Sequence, residues 1–270
     1  MNYIEDSPHS NVYQEVDDYE TVEEVDYPMS RHGRELFAKA YPEVLVVVDV
    51  SLFKKFKYKT DLTHEYIVSF FNAVNFCFAL LSNPQVQLSI VGIVIGSSHN
   101  ALPFLRQTSS SLVDANSVLH NMGRYYYKDR PGLPVYDIVV AMTALDLSAV
   151  RGGKIDRNVR GYAYVGGACV RNTLLQKINS VAILEDSGGY SAVVTAAHEI
   201  AHLLGTVHDG DSAPSYLRGP GATSCPASDG FIMSNKRNTW RGMLWSSCSI
   251  NQIRHFLKTK TASCLGNYPR

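Results

Sequence analysis

One stretch constrains the fold of this chain more than any other: residues 198–209, which read HEIAHLLGTVHD. His198 and His202 are four residues apart, so a helix places both imidazoles on the same face, one turn apart. Glu199 projects beside them, where a carboxylate can handle a proton from a metal-bound water. The spacing therefore predicts a helix that presents two metal ligands and a base to one point.

The residues that follow this helix supply a third ligand. Gly205 allows a sharp turn in the left-handed conformation, and the turn returns His208 to the same point. Three nitrogen ligands leave the fourth position of a tetrahedral zinc open, which is typical of a catalytic site and not of a structural one. An ordinary core helix would bury three imidazoles without partners, which is costly. The sequence therefore predicts a catalytic zinc site.

Composition limits the other possibilities. The chain has 270 residues, 45% of them apolar, and a formal net charge of +0, which allows one large domain with a real core. It has no cluster of lysine and arginine, so we expect no nucleic-acid partner. No apolar run reaches the length that a membrane span needs. The first residues do not resemble a signal peptide, so either the protein is intracellular or the sequence begins downstream of such a peptide.

The N-terminal segment differs from the rest of the chain. Residues 1–34 contain nine acidic and two basic residues and few large aliphatic ones, a composition that favours disorder. The segment ends in R-x-x-R at residues 31–34, the minimal site of furin-type convertases, and residues 157–160 match the same pattern. Because the first match lies where the acidic segment meets the folded part, we interpret 1–34 as the end of a propeptide and Glu35 as the mature start.

Hydrophobic periodicity predicts a layered α/β domain with a mostly parallel sheet, since strands and helices alternate along the first two thirds of the chain. The last third is loop-rich and ends in a helix, where Ser249 and Gln252 form a capping box. The predicted strands are 43–50, 85–96, 136–142, 161–167 and 181–185, and the predicted helices are 61–81, 110–127 and 250–259.

Cysteine usage bears on the compartment. The chain has five cysteines, and four of them lie after residue 168 without any CxxC pair, which argues against a cysteine-ligated zinc ribbon. Two disulfides fit this spacing and would indicate an oxidising compartment; four reduced structural cysteines are the alternative. Cys77 has no obvious partner among them, so it is either a buried free thiol or paired with something absent from this sequence, and burial is the more common outcome.

These residues resemble a known family. The spacing from His198 to His208 matches the extended zinc signature of the metzincin metalloproteases. Asp209, directly after the third histidine, resembles the reprolysin (adamalysin/ADAM) branch, and GFIMSN at 230–235 resembles its Met-turn, with Met233 beneath the zinc. The resemblance covers residues 40–270. Within it, the segment YPEVLVVVDVSLF at residues 41–53 is most similar to the salivary metalloproteases of ticks.

The resemblance implies a fold and a domain organisation. We expect a metzincin-type α/β catalytic domain over 35–270, with a twisted mostly parallel sheet, an antiparallel edge strand and a long active-site helix. An upper subdomain would comprise 35–208, and a small irregular lower subdomain, 209–270, would end in a helix. Asp209 would steady the turn after His208, without taking part in the chemistry.

Further sites follow from the resemblance alone. Cys169 would pair with Cys264, and Cys225 with Cys248. The edge strand would bind the substrate main chain through three residues: Tyr164, Val165 and Gly166. A structural calcium, bound by hard oxygen ligands, would take Glu43, Asp137, the Cys264 carbonyl and Asn267.

The function that the resemblance implies is endoproteolysis of extracellular proteins by a secreted monomer. Zinc polarises the scissile carbonyl and lowers the pKa of its bound water, and Glu199 acts as general base and then as general acid. One alternative is a secreted binding protein that keeps zinc only as a scaffold, but such a protein has no use for Glu199. Another is a zinc aminopeptidase with two histidines and a glutamate, which conflicts with the position of His208.

Overall fold

The computed structural model describes residues 39–105, 112–128, 131–151, 153–235 and 240–267. The acidic segment 1–34 and the expected mature start at Glu35 lie outside the described residues. Among the helices of the described part, none is both long enough and apolar enough to cross a membrane.

Strands and helices alternate from the start of the described chain to the helix with the metal motif, and short 3-10 turns dominate after it. The strands are β1 (Lys39–Ala40), β2 (Glu43–Val48), β3 (Gln85–Val86), β4 (Ser89–Ile95), β5 (Leu112–Asp114), β6 (Ile138–Thr143), β7 (Asp146–Arg151), β8 (Lys154–Asp156), β9 (Gly161–Ala163), β10 (Arg171–Asn172), β11 (Lys177–Ile178) and β12 (Val181–Glu185). The α-helices are α1 (Val50–Lys55), α2 (Thr60–Ala79), α3 (Ala115–Tyr127), α4 (Val193–Leu203) and α5 (Ser247–Phe256). The 3-10 helices are Ser215–Leu217, Ala227–Asp229, Trp240–Met243 and Lys260–Gly266.

The central sheet has five strands in the order β4-β2-β6-β12-β9. The first four are parallel, and β9 joins β12 antiparallel at the edge, with Tyr162 opposite Ile183. This confirms the α/β class with a mostly parallel sheet and an antiparallel edge strand. Since the metal-motif helix α4 packs against both β12 and β9, the edge strand lies beside the motif.

The unbroken apolar run of β2 is explained by burial on both faces of the sheet, as expected of a central parallel strand. Val44, Val46 and Val48 point into the core under α2 and α4, whereas Leu45 and Val47 point into the core under α3. The large side chains of α2 fill the first core, and those of α3 fill the second: Ile67, Phe70, Val74 and Phe78, then Val118, Leu119 and Met122.

Two predicted element boundaries are wrong in the first half of the chain. The strand predicted over 85–96 is divided, because the side-chain amide of Asn75 on α2 pairs with both the backbone N–H and the carbonyl of Leu88. The helix predicted over 110–127 begins only at Ala115, since residues 112–114 form β5 beside β7 and Asp114 caps the helix.

The C-terminal helix also begins elsewhere than predicted. Its N-cap is Ser246, whose hydroxyl accepts a hydrogen bond from the backbone N–H of Ser249. The predicted capping box of Ser249 and Gln252 is therefore wrong, and the helix starts about one turn earlier. The Gln252 side chain instead accepts a hydrogen bond from the backbone of Val207, next to the third histidine, at 3.0 Å.

Two disulfides tie the loop-rich part of the chain together. Cys169 bonds to Cys264, and Cys225 bonds to Cys248, which are the pairings that the family resemblance implies. Cys77 is free and buried, as predicted, and burial raises the pKa of its thiol. Its backbone carbonyl accepts a hydrogen bond from the indole of Trp245 at 2.8 Å, which joins α2 to the C-terminal part of the chain.

Candidate metal centre

Helix α4 places the motif side chains by burying its apolar face. Small and branched residues of α4, such as Ala197, Ile200 and Ala201, are completely buried in the core under the sheet. The remaining face carries His198, Glu199 and His202, as the four-residue spacing predicts. These three polar side chains are themselves 5–7% exposed, so they lie within the protein rather than on its surface.

The three histidines converge on one point. The Nε2 atom of His208 lies 3.2 Å from that of His198 and 3.3 Å from that of His202. A tetrahedral zinc with Zn–N bonds of ~2.1 Å separates its nitrogen ligands by ~3.4 Å. The spacing of the three nitrogens therefore fits one zinc ion, and this is the group of metal-binding side chains found among the described residues.

The outer ring nitrogens of two histidines are held by backbone carbonyls. Nδ1 of His198 lies 2.8 Å from the carbonyl oxygen of Ile232, and Nδ1 of His202 lies 2.7 Å from that of Thr206. A carbonyl can only accept, so each Nδ1 carries the proton and each Nε2 offers its lone pair to a metal. Burial, followed by the proximity of His208, lowers the pKa of His202 to about 3, which keeps this imidazole neutral.

The turn after α4 depends on Gly205. Its φ is +86°, in the left-handed region, and an added Cβ would lie 2.8 Å from the Cβ of Phe256 on α5. Both the conformation and the close packing therefore require glycine at this position. The turn also brings the Thr206 carbonyl onto His202, so the residues between the second and third ligands position the second one as well.

The segment predicted as the Met-turn contacts the histidines through its backbone. The carbonyl of Met233 accepts a hydrogen bond from the N–H of Asp209 at 3.0 Å, and the preceding carbonyl is the one that holds His198. Met233 itself is completely buried. The Asp209 carboxylate accepts hydrogen bonds from Ser246 at 2.6 Å and Ser234 at 3.2 Å, so it joins the turn, the following segment and the start of α5.

The ionisation of Asp209 reflects two opposing effects. Burial raises the pKa of its carboxyl group, whereas the hydrogen bonds from Ser246 and Ser234 lower it. His208, the neighbouring ligand, is less enclosed: its side chain is 24% exposed, and its Nδ1 lies 3.6 Å from the carboxylate of Asp211. The third ligand therefore lies at the solvent side of the centre.

The edge segment differs from the prediction. The strand predicted over 161–167 ends at Ala163, and Tyr164, Val165 and Gly166 form a turn instead. The N–H of Gly166 donates to the carbonyl of His202 at 2.8 Å, and the same carbonyl also accepts from the N–H of Gly205 at 2.9 Å. The carbonyl of Val165 accepts a hydrogen bond from the hydroxyl of Tyr216 at 3.1 Å.

The carboxylates expected to bind calcium do lie together. Asp137 accepts a hydrogen bond from the backbone N–H of Glu43 at 2.9 Å, and the Asn267 amide donates to the Glu43 carboxylate at 2.8 Å. Both acidic residues are buried, and the disulfide at Cys264 anchors the adjacent turn. Burial, and then the charge of Glu43, raises the pKa of Asp137 to about 7, although the backbone hydrogen bond opposes this.

Several contacts of the centre were not predicted from the sequence. The carbonyls of Ile232 and Thr206 act through the backbone, which leaves no mark on residue type. Ser234 directly follows the predicted Met-turn methionine, so its hydroxyl was the one partner of Asp209 that the motif could have indicated. Tyr216 and Gln252 lie far along the chain from their partners and carry no recognisable spacing.

Three convergent imidazoles, two of them on the same helix as a buried glutamate, define a catalytic-type zinc centre beside an α/β sheet. The model of the "Reprolysin (M12B) family zinc metalloprotease" matches residues 40–269. The chain therefore belongs to the reprolysin family of zinc metalloproteases. This confirms the family resemblance that the motif, Asp209 and the Met-turn segment indicated.

Similar proteins occur among curated sequences and solved structures. The chain is 45% identical over 244 residues to "A disintegrin and metalloproteinase with thrombospondin motifs like" of Bombyx mori, covering 89% of this chain and 35% of that protein. It is 32% identical over 231 residues to "Venom metalloproteinase 3" of Eulophus pennicornis, covering 83% and 52%. Metalloproteinase-II from Bacteroides fragilis is similar with a TM-score of 0.48 and 17% identity, covering 82% of this chain and 54% of that one.

The chain thus spans between about a third and a half of the length of those two curated relatives. These relatives are similar to the chain at the level of the family. A closer resemblance to the salivary enzymes of ticks stays a prediction.

Proposed function

We propose that the protein is a zinc-dependent endopeptidase that hydrolyses internal peptide bonds of extracellular proteins. The observation that carries this proposal is the convergence of three Nε2 atoms, 3.2–3.3 Å apart, beside the buried carboxylate of Glu199. A binding protein that used the metal as a scaffold would gain nothing from a buried glutamate at this position. A centre with two histidines and a glutamate would leave His208 without a reason to face the other two.

His198, His202 and His208 would hold the zinc. Bound there, zinc supplies a Lewis acid that polarises the scissile carbonyl and lowers the pKa of a water molecule. Glu199 takes the proton from the attacking water and later gives it to the leaving amine. The carbonyls of Ile232 and Thr206 fix the rings and keep their outer protons in place, so that the ligand nitrogens need no rearrangement during turnover.

The substrate main chain would pair along the edge of the sheet. The residues expected for this role were Tyr164, Val165 and Gly166, but the Gly166 N–H and the Val165 carbonyl already have partners within the protein. We therefore propose that an extended peptide aligns antiparallel to β9 itself, through main-chain hydrogen bonds that set its register. Tyr164 directly follows β9 and would mark the end of this alignment.

We propose that calcium binds between Glu43, Asp137, the Cys264 carbonyl and Asn267. The Asp137 carboxylate accepts a hydrogen bond from the backbone of Glu43, whose own carboxylate is also buried and adds a second negative charge nearby. Two such groups are unfavourable when both are ionised. A hard dication with oxygen ligands removes that cost. Burial, and then the charge of Glu43, raises the pKa of Asp137 to about 7, and a bound cation would favour the ionised form instead.

Secretion and processing complete the proposal. Disulfides persist mainly in oxidising compartments, and the chain has two. One relative is named a venom metalloproteinase. We propose that the protein acts outside the cell as a monomer, with 1–34 as the end of a propeptide cleaved after Arg34 and 35–270 as the catalytic domain. Within that domain, 35–208 would be the upper subdomain and 209–270 the lower one.

The test is hydrolysis of casein by the full chain, before and after digestion with a furin-type protease. Activity that a zinc chelator removes and that added zinc restores would support a zinc endopeptidase. Release of the segment up to Arg34, followed by mass spectrometry, reports whether processing occurs at that position. If the folded, zinc-loaded protein cleaves no casein in either form, the enzyme function is refuted. The alternative is then a binding protein that keeps zinc only as a scaffold.

A further inference from the structure

The carboxyl group of Glu199 lies directly against a glycine of the edge strand. A Cβ atom added to Gly161 would lie 2.5 Å from Oε1 of Glu199 and 2.7 Å from both its Cδ and its Cγ. We propose that Gly161 is a positioning residue, whose missing side chain leaves the space in which the Glu199 carboxylate is held. The proposal rests on the proposed function, because it assigns Glu199 the role of the base.

The backbone does not explain why residue 161 is glycine. Its φ lies outside the left-handed region, so an L-residue could adopt the same conformation. Gly161 is the first residue of β9 and pairs with Leu184 of β12, and glycine within a strand weakens it. All three of the nearest atoms that a Cβ would meet belong to Glu199. The requirement for glycine therefore comes from this one side chain.

A larger residue at 161 would displace the base rather than the strand. Contacts of 2.5–2.7 Å are shorter than real Cβ contacts, so something must move. The end of a side chain moves more easily than a paired strand, so we expect the carboxyl group of Glu199, which is buried, to shift. A displacement of about 1 Å at a reacting group can lower the rate by about 100-fold.

The kinetic test compares two glycine-to-alanine variants of the full chain, with casein and a fluorogenic peptide as substrates. Gly161→Ala should lower kcat by about 100-fold, change KM much less and leave the zinc content at the wild-type level. Gly92→Ala is the matched control, because Gly92 lies on β4 at the opposite edge of the same sheet, where a Cβ would meet Leu45 and Pro134. This control should keep the wild-type kcat.

A thermal-unfolding cycle tests the contact without relying on activity. Gly161→Ala should lower the Tm of the wild-type chain and have no such effect in the Glu199→Ala chain, where the conflicting atoms are gone. Equal losses in both backgrounds would refute a conflict with Glu199. A wild-type kcat in Gly161→Ala would refute the positioning role. If the wild type cleaves nothing, the proposed function fails, while the Tm cycle still decides whether Gly161 sets the position of Glu199.

Discussion

The metal centre joins two regions that are stabilised in different ways. The sheet region, residues 39–203, is held by two apolar cores on either side of a parallel sheet, and it supplies His198, Glu199 and His202 on α4. The C-terminal region, residues 204–267, adds Met233, Trp245 and Phe256 to one of those cores. Apart from α5 it has only short 3-10 helices, and it is also held by a disulfide of its own and by the hydrogen-bonded carboxylate of Asp209. It supplies His208 and the carbonyls that orient the other two histidines.

Because they are stabilised differently, the two regions contribute different parts of the metal centre. A helix packed in a core fixes the direction of a side chain to within a rotamer, which a base and two ligands require. A loop can bring a third ligand to the solvent side of the centre, but it needs disulfides or hydrogen bonds to keep one conformation. The backbone carbonyls of Ile232 and Thr206 connect the two regions, since each belongs to the C-terminal region and orients a ligand of the sheet region.

The largest expected effect comes from removing one zinc ligand of each region in turn. His202→Ala and His208→Ala should each lower zinc affinity by more than about 100-fold, beyond the 10–100-fold typical of losing a partner that only orients a ligand. In the presence of chelator, His202→Ala should lower the Tm more, because it leaves a cavity and an unpaired Thr206 carbonyl. Metal competition assays and thermal unfolding measure the two quantities, and equal apo Tm values would contradict the difference between the regions.

The two disulfides should differ in the free energy of unfolding that they contribute. The bond between Cys169 and Cys264 spans a sequence separation of 95 and joins the two regions, whereas Cys225 and Cys248 are 23 apart within one region. Restriction of the unfolded chain predicts about 4.7 kcal/mol for the first and about 3.4 kcal/mol for the second. Urea denaturation of the two double cysteine-to-serine variants checks the order, and a larger loss for the shorter loop would contradict it.

Calcium should stabilise the contact between β2 and the segment that contains Cys264 and Asn267. At pH 7.5 and millimolar Ca²⁺, the range typical of extracellular sites, the Tm of the dialysed protein should rise. Asp137→Asn removes one charge but keeps an acceptor for the Glu43 N–H, so it should abolish most of that rise. If calcium raises the Tm of the wild type and of Asp137→Asn equally, calcium binds at a different site. If it raises neither Tm, the proposed site is refuted.

The smallest predicted effect concerns the loop that precedes α4. The hydroxyl of Tyr66 donates to the buried Asp186 at 2.7 Å and accepts from the Tyr190 N–H at 3.0 Å. Burial raises the pKa of Asp186, so its ionisation opposes folding; the stability present at low pH is lost as the pH rises through the folded-state pKa. Donation from Tyr66 lowers that pKa and limits the loss.

Tyr66→Phe should therefore cost about 1.5–3 kcal/mol at neutral pH and less well below pH 3.8, the ordinary pKa of an aspartate, because Asp186 is then protonated in both the folded and the unfolded state. Urea denaturation as a function of pH measures this change. The control is Tyr58→Phe, since Tyr58 is 53% exposed. A cost for Tyr66→Phe that is the same at every pH would contradict the assigned role of Asp186.

The same contrast explains what the sequence could predict. The apolar run of β2 and the helical spacing of α2 depend on local patterns, so both elements were found close to their true bounds. The histidine motif was also local, because α4 and the turn at Gly205 fix its geometry within eleven residues. Each of these features is determined by residues that are close in sequence.

The errors arose where distant residues compete for backbone groups. Asn75 divides the predicted strand at 85–96, and the end of α4 takes the Gly166 N–H from the predicted edge strand. The start of α5 depends on which of two serines caps it, and Ser246 is the one that also bonds to Asp209. The sequence pattern around 246–249 suits either serine, and only tertiary contact decides between them.

The central claim is that Glu199 performs the proton transfer at a zinc centre which both regions assemble. Its most direct test is the turnover of Glu199→Gln, which keeps the shape of the side chain, measured on samples of known zinc content. We predict one zinc per chain, as in the wild type, and a kcat lower by about 100-fold or more. A fully zinc-loaded Glu199→Gln protein with nearly wild-type kcat would contradict the claim.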